Sequence, residues 1–157
     1  MTADPARRPG LRRLARELAL KLLYLHDLEG GAPAAAAETF ETAFSPENDP
    51  EKTLNISARD FKRAWPLARE LFFGVAAGQG RLDAEIGRAA VNWTLPRMSP
   101  VDRGLIRLAY YEMLQGTPAL VSLNEALEIA RGYGGDDSVP FINGVLDRLM
   151  RGAAAPD

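Results

Sequence analysis

Apolar residues recur every three or four positions over most of the chain, a period that predicts amphipathic helices and no strands. From Leu11 to Leu28, Leu14, Leu18, Leu22 and Leu25 share one arc with Leu11 and Ala15. Arg12, Arg13, Arg16 and Lys21 occupy the opposite half, and Tyr24 falls on that basic side. Gly30-Gly31 ends this helix. Residues 30–37 read as a Gly/Ala linker, and Glu38–Phe44 as a short helix burying Phe40 and Phe44. Residues 45–55 read as an acidic surface loop. Ser57 and Asp60 open the next helix by capping logic. Phe61, Trp65, Ala68, Leu71, Phe72, Val75 and Ala76 carry it to Gly78 as core residues, with Pro66 marking a bend or a break. Leu82, Ile86, Ala89 and Ala90 predict another helix, ending near Asn92-Trp93.

The strongest pattern begins at Ser99. Ser99 is placed to cap, Pro100 suits the first helical position, and Asp102 puts negative charge at the helix start. Leu105, Ile106, Leu108, Ala109, Tyr110, Met113 and Leu114 then cover more than half the circumference, as in a central helix. Arg103 and Arg107 mark its one wet or partner-facing stripe. Ser122 and Glu125 form a capping box for a helix to Arg131 that buries Leu123, Ala126, Leu127 and Ala130. Gly132, Gly134 and Gly135 stop it. A last helix, capped from Asp136, Asp137 or Ser138, turns Phe141, Ile142, Val145, Leu146 and Leu149 inward. Gly144 there is expected to let a neighbouring helix approach. The fold class is all-α.

At 157 residues the chain fits a basic arm over 1–10, one helical domain over 11–151 and a disordered tail over 152–157. With no cysteine and His26 as its single histidine, it has no thiol nucleophile and no Cys-based zinc site. No metal or other cofactor is expected. The cluster Glu47, Asp49 and Glu51 has no metal-site spacing, and no catalytic constellation is visible. Gly132-Tyr133-Gly134-Gly135 follows no strand, so it reads as a helix stop and not as a phosphate loop. No apolar run reaches membrane-spanning length, and the cytoplasm is the expected compartment.

Charge changes the picture. Residues 1–16 hold five arginines against Asp4, a balance of +4, which leaves −6 elsewhere in a chain of net charge −2. A basic arm on an acidic body suggests a local anionic partner. An aromatic ring among guanidinium groups suits single-stranded nucleic acid, with charge for phosphates and a flat face for bases. The alternative is a solvated basic face with Tyr24 packed sideways.

Several of these residues carry a resemblance. Arg12-Arg13-Leu14-Ala15-Arg16-Glu17 with Leu23-Tyr24 resembles the N-terminal motif of the NusB family of bacterial transcription antitermination factors. Asn92-Trp93, Val101-Asp102-Arg103 and Leu108-Ala109-Tyr110-Tyr111-Glu112-Met113-Leu114 continue it. So do Asn124-Glu125-Ala126-Leu127-Glu128-Ile129-Ala130 and Phe141-Ile142-Asn143-Gly144-Val145-Leu146-Asp147. Residues 30–56 match poorly, and Leu14 stands where the motif often has another basic residue. The resemblance implies about seven helices in two packed three-helix groups. It also implies binding to the boxA element of nascent ribosomal RNA leaders together with NusE, a small-subunit ribosomal protein, and delivery to RNA polymerase. By motif position, Arg12, Arg13, Arg16, Tyr24, Arg107 and Phe141 correspond to RNA contacts and Asp102 to the NusE face. A face around Arg103 or Tyr111 could serve NusE or a second copy in a homodimer. Two other readings stay open: a helical protein-interaction module without an RNA role, and a relative of the NusB-like domain of RNA cytosine methyltransferases.

Overall fold

The computed structural model describes residues 10–47, 56–91, 93–133, 135 and 137–152. Among them there are seven α-helices and no strand: α1 (Leu11–Glu29), α2 (Pro33–Phe44), α3 (Ala58–Ala77), α4 (Gln79–Ala89), α5 (Pro100–Leu114), α6 (Ala119–Tyr133) and α7 (Ser138–Gly152). A single 3₁₀ turn, Leu95–Arg97, leads into α5. The basic arm with Arg7 and Arg8, Asp49 and Glu51 of the acidic loop, Asn92, Asp136 and residues 153–157 lie outside the described residues.

Helices α1, α2 and α3 pack on one another, and α5, α6 and α7 do the same, with α4 laid against α5 and α7. Contacts of α5 with α1 and α3 join the two groups. The central position expected for α5 follows from its sequence: Leu105, Ile106, Leu108, Ala109 and Tyr110 are all buried. Its start is built as the residues dictate, with the Asp102 amide donating to Ser99 Oγ at 3.1 Å. The Asp60 amide does the same to Ser57 Oγ at the start of α3. Phe72, Leu22 and Ile106 are wholly inaccessible, and burying side chains of this size stabilises by about 1.5–3 kcal/mol each before entropy is counted. His26 joins this packing, its ring set edge-on to Phe72 at 5.5 Å.

Three local expectations are corrected, and at Pro66 one of two readings falls. The Gly/Ala stretch is mostly helix, with Pro33 at the first position of α2 and Ala36, Ala37 and Phe40 buried. Alanine is the strongest helix former, and Phe40 supplies the anchor by stacking on Trp65 at 5.4 Å. Pro66 does not break α3. Its missing donor frees the carbonyl of Lys62, and both residues are exposed, where water can satisfy that group. Ser122 is no cap: it lies inside α6, fully buried, and Glu125 pairs with α1 instead. Gly144 makes no close helix contact, since a Cβ added there would meet nothing within 4 Å. Gly74 and Gly104 do: a Cβ added at Gly74 would sit 2.1 Å from the Tyr111 hydroxyl, at the contact of α3 with α5, and one at Gly104 would sit 3.0 Å from Leu20 Cδ1, at the contact of α5 with α1.

Candidate nucleic-acid and partner interface

The α1 arginines do not form a uniform solvated face. Arg12 is exposed and has no partner among the described residues. Arg13 is half-buried, its Nε donating to Glu125 Oε2 at 2.8 Å. Its guanidinium is held charged even more firmly than usual, first by that hydrogen bond. Arg16 departs from the expected solvent face. It is buried, with Nε 2.9 Å from Glu112 Oε2 and Nη2 3.0 Å from Oε1, so it grips α5 in a two-pronged ion pair. Helical spacing places Arg16 correctly opposite the leucines, but a neighbouring helix and not water occupies that side. Breaking a buried pair of this kind by removing one partner costs about 3–5 kcal/mol.

The same correction applies to the stripe on α5. Arg107 is buried and bound at both ends by Asp83 of α4, with Nε–Oδ1 at 2.7 Å and Nη2–Oδ2 at 2.8 Å. Its Nη1 also lies 3.7 Å from Asp27 of α1. Arg103 donates to the carbonyls of Leu95 and Met98 at 2.8 and 3.1 Å and pairs with Asp27. These two arginines tie α1, α4 and the 3₁₀ turn to the central helix. Their guanidinium groups are engaged inside the fold, not displayed to a partner.

Tyr24 is 42% exposed, as its place on the basic side predicts. Its surroundings are more apolar than expected: it lines a groove of about 440 Å³ with Lys21, Leu25, Leu28, Phe44, Val101 and Tyr133. Lys21 reaches over the Tyr133 ring, 5.8 Å from its centre. Arg13 meets Glu125 and Lys21 meets Tyr133, a step of eight residues on each helix, so α6 runs beside α1 in the same direction. Along this seam Arg13 and Tyr24 face one side, about 16 Å apart.

Phe141 and Asp102 lie in a second groove of about 470 Å³, with Trp93, Arg97, Ser99, Asp137 and Ser138. Trp93 is 47% exposed and packs edge-on to Phe141 at 6.3 Å, while the Arg97 guanidinium stands over its ring at 5.4 Å. Asp102 is buried, and its Oδ1 has no hydrogen-bond partner among the described residues. Adjacent residues Val101 and Asp102 each line one groove, so the N-terminus of α5 brings Tyr24, Asp102 and Phe141 into one region. Arg12, Arg13 and Arg16 lie toward the other end of α1. Trp93, Arg97 and Glu125 border these surfaces without a binding role in the sequence reading, where Trp93 enters only with the resemblance and Glu125 with it and as half of a capping box. An exposed tryptophan in a turn is the available signal for the first two, whereas the role of Glu125 depends on a helix 112 residues away in sequence.

The family model for the NusB family matches residues 13–151. The transcription antitermination protein NusB of Syntrophotalea carbinolica is 37% identical over 152 residues, covering 90% of this chain and 93% of its own. That of Myxococcus xanthus is 39% identical over 142 residues, covering 89% and 94%. Among solved structures, NusB of T. maritima superposes with a TM-score of 0.70 at 30% identity, covering 92% of this chain and 93% of that one. A structure of antitermination factors NusB and NusE in complex with double-stranded RNA has the same fold, with a TM-score of 0.70 at 23% identity over 90% and 97% of the two chains. No helix among the described residues is long and apolar enough to cross a membrane. Agreement of this extent, in sequence and in helix arrangement, makes the chain a member of the NusB family.

Proposed function

We propose that this chain is a cytoplasmic transcription antitermination factor. It binds the boxA element of nascent ribosomal RNA leaders as a single strand, together with NusE, and delivers it to RNA polymerase. The observation that carries the RNA reading is the flank of α1, where exposed Arg12 and half-buried Arg13 lie at one end and the exposed Tyr24 ring with Lys21 at the other. Cations for phosphates and a ring for a base are the two components that single-stranded RNA recognition uses. Phe141 extends the aromatic surface in the second groove, and Asp102, largely buried in the wall of that groove, is the carboxylate on the NusE side. Arg16 and Arg107 serve this surface by fixing the helices that bear it, since their guanidinium groups are each held by a carboxylate.

Salt separates the two components. An arginine that neutralises a phosphate on a single strand contributes about 0.7 to the slope of log affinity against log salt. Arg12→Ala is therefore expected to weaken binding to boxA RNA and flatten that slope. Tyr24→Ala is expected to cost about 1–3 kcal/mol at every salt concentration with the slope unchanged. Filter binding with single-stranded and duplex forms of the same RNA tests this. Tyr24→Ala binding like the wild type removes the stacking surface, a preference for the duplex removes the single-strand reading, and no binding to either form leaves a protein-interaction module.

A further inference from the structure

Arg13 reaches the proposed RNA surface already paired. Glu125 Oε2 accepts from its Nε at 2.8 Å and lies 3.8 Å from Nη1 of Arg16, whose main partner is Glu112. Two guanidinium groups thus face two carboxylates, and the charges of Glu128 and Glu17 act on Arg13 as well. The two pairs differ in access. The side chains of Arg16 and Glu112 are 7% and 10% exposed, whereas those of Arg13 and Glu125 are 34% and 26% exposed. The first pair is part of the packing; the second lies where a ligand can reach and exchange it. Among the described residues only the Nε edge of Arg13 is hydrogen-bonded, to Glu125, which leaves its outer nitrogens to an anion. A phosphate bound there lies within the screening distance of the Glu125 charge, about 8 Å at physiological ionic strength.

We propose that Glu125 is an internal stand-in for phosphate that sets RNA affinity: it holds Arg13 when RNA is absent and opposes the strand that takes Arg13 over. This rests on the RNA reading above. Its consequence is specific. A basic helix that would otherwise attract any polyanion is neutralised at Arg13, and a strand gains this contact only where its other contacts hold it in place. Because Glu125 belongs to α6 and Arg13 to α1, the brake is built by the fold and is absent from the isolated motif.

The test uses the full chain and single-stranded boxA RNA, with fluorescence anisotropy over a series of salt concentrations. Glu125→Gln keeps the shape of the side chain and removes its charge. It is expected to tighten binding about three- to tenfold at low salt and to steepen the salt slope by about 0.7. In an Arg13→Gln background the same substitution is expected to change neither quantity. Unchanged affinity and slope for Glu125→Gln, with wild-type binding intact, overturn the proposal alone. Weaker binding at an unchanged melting temperature also overturns it, since Glu125 would then orient Arg13 in favour of RNA. A gain that persists in the Arg13→Gln background places the effect elsewhere and likewise overturns it. Should Glu125→Gln fail to fold, Glu125→Asp, which keeps the charge but shortens its reach, is expected to loosen the pair and tighten binding. A wild type that binds no RNA overturns the underlying reading together with this one.

Discussion

Single residues of the same type take opposite roles here according to what lies beside them. Gly74 and Gly144 both lie inside helices, and only surrounding space tells them apart. A methyl at Gly74 would collide with the Tyr111 ring, with the hydroxyl at 2.1 Å and its ring carbon at 2.2 Å. Tyr111 is half-buried, so it can swing away only by giving up its packing against α3. Gly74→Ala is therefore expected to destabilise by about 1–3 kcal/mol despite alanine's better helix propensity. Gly144 has open space around it, so Gly144→Ala is expected to stabilise by about 0.5–1 kcal/mol. Denaturant unfolding of the two variants decides the matter, and equal effects would contradict the packing described. A glycine's neighbours are set by tertiary structure, so the sequence alone cannot rank these two.

At the scale of elements, periodicity within a helix is legible in the sequence and pairing between helices is not. The start of α5 can be read from Ser99, Pro100 and Asp102 because a cap is a local arrangement. Residues 30–37 mislead because alanine-rich sequence resembles linker and helix alike until Phe40 finds Trp65. Arg16, Arg103 and Arg107 read as surface charges because their partners Glu112, Asp27 and Asp83 come from other helices. Another such cross-helix link is measurable by pH. The Tyr110 hydroxyl of α5 donates to Glu85 of α4. Burial, followed by the hydrogen bond and charge of Glu85, pushes its hydroxyl up to about 12. An unfolded tyrosine ionises near pH 10, roughly its ordinary value. Between those values the unfolded chain holds fewer protons than the folded one, so stability falls as pH rises. The contribution is fully present below about pH 10 and is lost by about pH 12. Tyr110→Phe is expected to flatten this alkaline loss in urea unfolding followed across that range. An undiminished slope in the variant would mean that Tyr110 does not anchor α4 in this way.

At the scale of the whole molecule, the two grooves share a boundary at the N-terminus of α5. Val101 lines the one that holds Tyr24, and Asp102 lines the one that holds Phe141. The proposed RNA and NusE sites therefore meet on one rigid helix. That helix is held by Arg103 to the 3₁₀ turn and to α1, and by Arg107 to α4 and α1. Sites that share such an element are coupled if either ligand favours the same arrangement of it, typically by about 1–3 kcal/mol. RNA is accordingly expected to tighten NusE binding, and linkage requires NusE to tighten RNA binding by the same factor. Asp102→Asn removes the charge offered to NusE while keeping the side chain's size, and it leaves Tyr24 and the α1 arginines untouched. It is expected to weaken NusE binding and leave binding of RNA alone unchanged. Calorimetric titrations of NusE with and without saturating boxA RNA measure the coupling directly. Identical NusE affinity in the two titrations would mean that RNA and NusE bind independently, and a loss of RNA binding by Asp102→Asn alone would move Asp102 from the partner face to the RNA face.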